Sequence, residues 1–150
     1  MKWKGLTFEE LTTTDLYQLL QLRSEVFVVE QDCVYQDIDG LDQQAIHVLG
    51  FKDQEMLAYA RVFKPGIYFK EASIGRVIVK GNSRGQDIGH LLMKKCIHLI
   101  QQNFETASIR ISAQQYLIKF YEYHGFTSVG EGYLEDGIPH INMVLNLKPM

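Results

Sequence analysis

The most constraining feature of this sequence is a strand that passes through a short polar loop directly into an amphipathic helix. In the segment SIGRVIVKGNSRGQDIGHLLM, from Ser73 to Met93, an apolar run ends at the loop KGNSRG, residues 80–85. Beyond the loop, apolar positions recur every three or four residues, which is the spacing of a helix that buries one face. We predict a strand over 73–79 and a long helix that begins near Gly85, so helices must pack on a sheet.

A helix start of this kind is suited to binding an anion. The first N–H groups of a helix have no partner within it, and the helix dipole adds partial positive charge there. Gly85 and Gly89 would let the main chain approach a diphosphate, and Arg84 could add a charge-assisted hydrogen bond. An ordinary helix start is the alternative. Neither a Walker loop nor the Gly-x-Gly-x-x-Gly dinucleotide fingerprint is present, so another type of cofactor is expected.

Strand and helix patterns alternate along the rest of the chain. The threonines at 12–14 offer a helix cap, and Asp136-Gly137 is typical of a hairpin turn. We predict, in chain order, a strand near 6–11, a helix to Phe27, hairpin strands at 45–51 and 57–63, a strand around 109–111, a short helix over 116–123 and a final hairpin. This order calls for a mixed sheet covered by helices, so the fold class is α/β or α+β. Continuous apolar periodicity predicts one domain over residues 1–150.

Composition and charge exclude several classes of protein. With 46% hydrophobic and 22% charged residues the chain is of globular type, and its net charge of −3 comes without a block of lysine or arginine. We therefore expect neither nucleic acid nor a membrane as a partner. Cys33 and Cys96 match no zinc-ligand spacing and no disulfide framework, so we expect free thiols and no metal. The first ten residues do not form a signal peptide, and a cytoplasmic location is expected by elimination.

Two motifs, in order, resemble those of the GNAT acetyltransferase superfamily. Its cofactor motif is Arg or Gln, two residues, Gly, one residue, then Gly or Ala, and residues 84–89 match it except at Asp87, where the family prefers glycine. The segment FYEYHGF, residues 120–126, matches the Phe-Tyr, three residues, Gly-Phe signature near the last helix of the family. RSEVFVVEQDCVYQDIDGLDQQAIHV (23–48) and EDGIPHI (135–141) look like the ElaA-like branch of the superfamily.

This resemblance implies a GNAT acyl-CoA N-acyltransferase fold, a mixed and mostly antiparallel sheet flanked by helices. It implies acetyl-CoA as cosubstrate and direct attack by an amine of a small molecule or peptide, and it leaves a homodimer open. The implied cofactor-binding residues form two groups. The main chain of the buried strand, at Val77, Ile78 and Val79, lines the pantetheine arm. The loop and helix start that bind the diphosphate, called the cradle below, are Arg84, Gly85, Gln86, Asp87, Ile88 and Gly89.

Tyr121 is the candidate general acid. When an amine displaces coenzyme A from a thioester, the departing thiolate needs a proton, and a phenol with a pKa of ~10 is a suitable donor. The resemblance places the Tyr121 hydroxyl beside the sulfur, and a core tyrosine is the alternative. Tyr123 is the poorer candidate, because two residues further along a helix it points elsewhere.

The general base is left open between His140 and Glu30. His140 has an imidazole that suits proton transfer and lies in the motif EDGIPHI, but it could also lie on the noncore face of a strand. Glu30 follows the first helix, where this fold usually builds its acceptor pocket, and a surface carboxylate is the alternative. His47 is expected to be a hydrogen-bonded structural histidine.

The segment Glu30–Gln43 carries five acidic residues and no basic one. It could steer a cationic amine to the site, be a solvated loop, or supply partners for Arg23, which interrupts the apolar face of the first helix. Two functions other than catalysis also stay open: a module that binds acyl-CoA as a sensor without turnover, which Asp87 favours, and a scaffold domain that binds no cofactor.

Overall fold

The computed structural model describes residues 1–147, and its scaffold is a seven-stranded sheet. The strands are β1 (Lys2–Thr7), β2 (Ile46–Lys52), β3 (Glu55–Phe63), β4 (Ala72–Val79), β5 (Ser108–Gln114), β6 (Thr127–Glu135) and β7 (Ile138–Asn146). They lie in the order β1-β2-β3-β4-β5-β7-β6. Neighbours are antiparallel apart from β4 and β5, which run parallel. The predicted mixed, mostly antiparallel sheet is confirmed.

Three α-helices and several shorter helical turns connect the strands. They are α1 (Thr13–Arg23), which continues as a π-helix (Ser24–Glu30), then α2 (Ile88–Asn103) and α3 (Ile118–Tyr123), with 3₁₀ turns at Asp42–Gln44, Gly81–Ser83 and Gln115–Leu117. Thr12 caps α1: its hydroxyl accepts from the Asp15 N–H (3.0 Å), and the Asp15 carboxylate accepts from the Thr12 N–H (3.2 Å). Within residues 1–147, no helix combines the length and the apolar character needed to cross a bilayer.

Two hydrophobic clusters cover opposite faces of the sheet. Consecutive residues of β2, Val48 and Leu49, belong to different clusters, and consecutive strand residues point to opposite faces. The cluster of Val48 contains the buried side chains of α2: Ile88, Leu92, Met93, Cys96 and Ile100. The cluster of Leu49 contains Leu19 and Leu22 of α1. Each such side chain contributes roughly 1.5–3 kcal/mol when fully buried, so the two helices hold the sheet between them.

The feature that positions the site is the separation of β4 from β5. The two strands pair only at Ala72 with Ile109 and Ser73 with Arg110, after which no pairing between them continues. On the other side of β4, the register with β3 shifts between Tyr59 and Arg61. Arg76 adopts a φ of +51° at this bulge. The bulge and the lost pairing open a wedge in the middle of the sheet.

Three predicted boundaries needed correction. The first strand was expected near residues 6–11, but β1 covers Lys2–Thr7, because this is the stretch that pairs with β2. The long helix was expected from near Gly85, but Gly85 (φ +85°) and Asp87 (φ +59°) are left-handed and cannot belong to an α-helix, so α2 begins at Ile88. The first helix does not stay α-helical to Phe27, since it becomes π-helical at Ser24. The hairpin turn at Asp136-Gly137 is confirmed.

Candidate active site

A cavity of about 620 Å³ lies where β4 and β5 separate. Its wall combines the π-helix, β4, the start of α2, α3 and the β6–β7 turn. Of the twelve residues named above as catalytic candidates or cofactor contacts, all but Gln86 line the cavity: Glu30, Val77, Ile78, Val79, Arg84, Gly85, Asp87, Ile88, Gly89, Tyr121 and His140. Positions more than a hundred residues apart in the sequence therefore share one cavity.

The loop before α2 carries a row of main-chain donors. The Leu91 N–H donates to the Asp87 carbonyl (3.1 Å), and the Arg84 N–H makes a long bond to the Gly81 carbonyl (3.5 Å). Between them, the N–H groups of residues 85–90 have no acceptor within the part of the chain that the structure describes. A diphosphate supplies the acceptors that such a row lacks, so the donor set fits this group.

The glycines of the loop have different tasks. Gly85 adopts a φ of +85°, and a Cβ there would meet no atom within 4 Å, so glycine serves the backbone conformation. A Cβ on Gly89 would lie 3.3 Å from Cε1 of Phe120 and 3.7 Å from Cγ2 of Val79, so its absence lets α2 begin against α3 and β4. Asp87 is left-handed (φ +59°), which explains why the family prefers glycine there and why aspartate, one of the residues that tolerate this region, is acceptable.

Arg84 and Glu30 form a bidentate ion pair at the mouth of the cavity. Nη1 and Nη2 of Arg84 donate to the two carboxylate oxygens of Glu30 at 2.6 and 2.7 Å, and Nε donates to the Val79 carbonyl at 3.0 Å. The hydrogen bond from Arg84 lowers the pKa of Glu30 below its ordinary value. Arg84, an expected cofactor contact, and Glu30, a candidate general base, are therefore bonded to each other in this structure.

The wall beside the cradle is the main chain of β4. Val77, Ile78 and Val79 follow the bulge at Arg76 and line the cavity, and the side chain of Ile78 is buried on the face that α1 covers. Since β5 has separated from β4 here, the edge of β4 faces the cavity instead of a neighbouring strand.

Tyr121 and Tyr123 have different surroundings, as their spacing predicted. Tyr121 is 7% exposed, lines the cavity and packs against Phe126 with ring centroids 6.0 Å apart. Burial raises the pKa of Tyr121, so its hydroxyl stays protonated and able to donate. Tyr123 is 69% exposed and lies against His90 on the outside of the helix pair.

His140 lies in the cavity wall and is not on an exposed strand face, since it is only 5% exposed. Its Nδ1 is 2.7 Å from the Ile138 carbonyl. A carbonyl oxygen only accepts, so Nδ1 carries the hydrogen and the lone pair of the neutral ring is on Nε2. Nε2 in turn lies 3.4 Å from Oε2 of Glu135.

The polar side chains around His140 were not predicted from the sequence. We call them the Glu135 cluster: Ser112, Tyr133, Glu135, His140 and Asn142. Ser112 bonds the Tyr133 hydroxyl and donates to Oε1 of Glu135 (3.3 Å), and Asn142 donates to the Tyr133 hydroxyl (3.1 Å). Glu135 begins the motif EDGIPHI and could have been singled out with His140, but nothing local indicates that β5 brings Ser112 beside it.

The acidic segment is neither a solvated loop nor a free anionic surface, because three of its aspartates are held by arginines. The salt bridges run from Arg23 to Asp37 (2.8 Å) and Asp42 (2.7 Å), from Arg61 to Asp39 (2.8 Å) and Asp42 (3.0 Å), and from Arg76 to Asp37 (2.8 Å). The side chain of Arg23 is 0% exposed, and its pairing with this segment, one of three alternatives, is confirmed. The segment is thereby fixed as a wall of the cavity.

His47 is a structural histidine, as expected. Its Nε2 lies 2.9 Å from the Asp42 carbonyl and its Nδ1 lies 2.6 Å from the Tyr59 hydroxyl, so both ring nitrogens have partners. Burial lowers the pKa of His47 and keeps the ring neutral. Cys96 is likewise buried in the α2 face, where desolvation raises the pKa of its thiol, so it does not serve as a nucleophile.

Comparison with known proteins decides the family. A family model described as an acetyltransferase (GNAT) domain matches residues 11–147. The chain belongs to the GNAT acetyltransferase family. Acyltransferase is thus its class, and the sheet with its central wedge is the GNAT acyl-CoA N-acyltransferase fold.

The relatives of this GNAT chain include the ElaA branch, as the N-terminal and C-terminal motifs predicted. Protein ElaA of Escherichia coli K12 is 45% identical over 145 residues, which are 95% of each chain. The crystal structure of Escherichia coli ElaA has a TM-score of 0.89 at 43% identity and covers 97% of this chain and 100% of its own. An acyl-CoA N-acyltransferase from Pseudomonas aeruginosa also has a TM-score of 0.89, at 40% identity, with 97% and 99% covered.

Proposed function

We propose that this GNAT protein transfers an acetyl group from acetyl-CoA to an amine of a small molecule or peptide. The observation that carries the proposal is the row of unbonded N–H groups over residues 85–90, which opens into the same cavity as Tyr121 and His140. A relative of the same fold is described as an acyl-CoA N-acyltransferase, which supports this type of cosubstrate.

The cosubstrate would be held mainly by main chain. The N–H groups of residues 85–90 would bind the diphosphate, with Gly85 and Asp87 providing the left-handed turns that aim these groups outward. The edge of β4 from Val77 to Val79 would hold the pantetheine arm, and one of its N–H groups would polarise the carbonyl of the acyl group. The thioester supplies an activated acetyl group and a thiolate leaving group.

Tyr121 would act as the general acid. Burial keeps its hydroxyl protonated, so the proton is in place when the C–S bond breaks, and the negative charge that develops on the sulfur would draw it across. His140 is the stronger candidate for the base, since Nδ1 is fixed as a donor and Nε2 is left to accept. Glu30 is the weaker one, since its oxygens are bonded to Arg84 and its pKa is lowered.

The proton balance of the transfer is simple. An acceptor in its ammonium form loses one proton to Nε2 of His140, and the neutral amine then attacks the acyl carbon. As the C–N bond forms and the C–S bond breaks, the nitrogen loses a second proton, which replaces the one that Tyr121 gives to the sulfur. One proton is released to solvent per turnover, and no covalent protein intermediate forms.

A second function, binding of acyl-CoA without turnover, is favoured by Asp87 alone. Its exposed carboxylate stands in the cradle where most family members have no side chain. We also propose that the protein is cytoplasmic, since a reducing compartment would keep the thiols of Cys33 and Cys96 free.

The test is a thiol-release assay with acetyl-CoA over a panel of amines, with binding of acetyl-CoA measured by calorimetry. We expect Tyr121→Phe to bind acetyl-CoA like the wild type and to lose most turnover, about a hundredfold or more. Tyr123→Phe, on the same helix but exposed, is the control and should turn over normally. Equal rates in both variants would remove Tyr121 from the mechanism, and binding without turnover by the wild type across the panel would favour the sensor.

A further inference from the structure

Within residues 1–147, Glu135 is the charged residue that contacts Nε2 of His140, the nitrogen that would accept a proton. Oε2 of Glu135 lies 3.4 Å from Nε2, and the ring of Tyr133 is stacked on the imidazole at 6.1 Å between centroids. The other ring nitrogen is fixed on the Ile138 carbonyl (2.7 Å). The hydrogen bond at Nδ1 and the stacking on Tyr133 therefore orient the His140 ring. The Glu135 carboxylate lies beside Nε2, the nitrogen that would accept a proton.

Glu135 is itself held in place. Ser112 donates to its other oxygen, Oε1, at 3.3 Å, and the Tyr133 hydroxyl, which Asn142 also contacts, fixes the serine. Both Glu135 and His140 line the cavity, and no arginine or lysine salt bridge engages Glu135 within residues 1–147. Its negative charge is thus available to a cation in the cavity, unlike that of Glu30, which Arg84 neutralises.

We propose that Glu135 is a positioning residue for the acetyl transfer: it draws the acceptor's ammonium group to Nε2 of His140 and stabilises the imidazolium that forms there. The inference rests on the proposed function, in which His140 takes the proton. In the step, the N–H bond of the ammonium breaks, its electron pair stays on the amine nitrogen, and an Nε2–H bond forms. Glu135 neither gives nor takes a proton in this step, so it acts through His140 and through the charge of the acceptor.

The other charged or titratable groups around this part of the cavity are few. Arg76 is paired with Asp37, and Arg84 with Glu30. The remaining ones in the described part of the chain that line the cavity with His140 are Cys33, Tyr35, Asp87, His90, Tyr116, Tyr121 and Asp136, and Tyr133 stacks on the His140 ring. Of these, Asp136 is the matched control, because it is the next residue, carries the same charge and makes no salt bridge with His140 in the described part of the chain.

The first experiment compares pH profiles of kcat/KM for the wild type, Glu135→Gln and Asp136→Asn with the best amine of the panel. Glutamine keeps the oxygen that Ser112 needs, so folding should be retained. We expect Glu135→Gln to move the acid limb of the profile to lower pH, since Oε2 of Glu135 lies 3.4 Å from Nε2 of His140 and loss of its charge removes an attraction for a cation there. We also expect kcat/KM at neutral pH to fall about tenfold. Asp136→Asn should leave the limb in place.

The second experiment does not depend on turnover. The ring resonances of His140 are followed by NMR during a pH titration of the free protein and of both variants. Glu135→Gln should lower the midpoint of the titration and Asp136→Asn should not, whereas a midpoint and an acid limb that stay unchanged in Glu135→Gln would overturn the inference with the proposed function intact. Failure of the wild type to release thiol with any amine would overturn the proposed function, and the positioning role with it, even if the midpoint shifts.

Discussion

Asp87 combines two properties that can be separated by substitution. Glycine and asparagine also tolerate the left-handed backbone at this position, but neither carries the negative charge of aspartate. Asp87→Asn therefore removes the charge alone, and Asp87→Gly removes the charge and relaxes the backbone.

We expect both Asp87 variants to bind acetyl-CoA about fivefold more tightly, which corresponds to about 1 kcal/mol for two charges a few ångströms apart in water. Calorimetry at low and high salt checks this, because the gain should shrink as salt screens the charge. Asp87→Ala serves as the strain control, and it should lower the free energy of unfolding by about 1 kcal/mol. Unaltered affinity in the asparagine and glycine variants would show that the carboxylate turns away from the diphosphate.

Glu30 neutralises the one arginine of the cofactor motif, and its substitution should free that arginine. Glu30→Gln breaks the charge pairing that holds Nη1 and Nη2 of Arg84 at 2.6 and 2.7 Å, so we expect several-fold tighter binding of acetyl-CoA. Binding of acetyl-pantetheine, which has no diphosphate, should not change. Glu25→Gln, which removes a charge from the same π-helix away from the cavity, is the control. A large loss of kcat in Glu30→Gln would instead identify Glu30 as the base.

Among the elements, the acidic segment 30–42 depends on buried ion pairs. Replacing Arg23 leaves Asp37 and Asp42 buried with less compensation, and the expected loss for Arg23→Met is about 3–5 kcal/mol of unfolding free energy. Urea denaturation measures it. The control is Lys80→Met, which breaks a partly exposed pair with Glu55 (3.5 Å) and should cost less than about 1 kcal/mol.

The same segment should weaken in acid. Burial raises the pKa of Asp39, but hydrogen bonds from the Arg61 guanidinium and the Leu41 N–H outweigh it, so the pKa is lowered overall. A carboxyl whose pKa is lower in the folded state contributes stability above its ordinary range near pH 4, and this contribution disappears as the pH falls through the folded value. The stability difference between the wild type and Asp39→Asn should therefore be present at pH 7 and shrink as the pH falls below the ordinary carboxyl range. A stability difference that does not depend on pH would contradict the ion pair.

The elements that could be predicted from the sequence are those with local signals. The spacing of Leu91, Leu92 and Cys96 predicted α2, and Asp136-Gly137 predicted the last hairpin. The π-helical end of the first helix was missed, because nothing in the spacing of Val26 and Phe27 distinguishes it from an α-helix.

At the scale of the whole molecule, the contacts that could not be predicted join distant residues. Arg84 meets Glu30 across 54 positions, and Ser112 meets Glu135 across 23, and both contacts depend on strand order and on the point where β4 leaves β5. Residue types indicated the cradle, Tyr121 and His140. The contacts that these residues make could be identified only in the structure, because the identity of a charged or hydroxyl side chain does not indicate which distant residue it will contact.

The prediction of one domain over residues 1–150 is also testable at this scale. Because α1 and α2 share one sheet, we expect thermal unfolding in a single transition, with the near-UV and far-UV circular dichroism signals changing together. Acetyl-CoA at a hundredfold excess over its Kd should raise stability by about 2.7 kcal/mol and move the whole transition. Two separated transitions would contradict a single cooperative unit.

The bulge at Arg76 and the early end of pairing between β4 and β5 belong to the backbone. Point substitutions in the cavity wall therefore leave the opening between the two strands in place. Closing this opening would take a deletion that removes the bulge and extends the pairing of β4 with β5. Under the proposed function, side chains would thus set the preference for an amine, whereas strand pairing would set the site of the acyl donor.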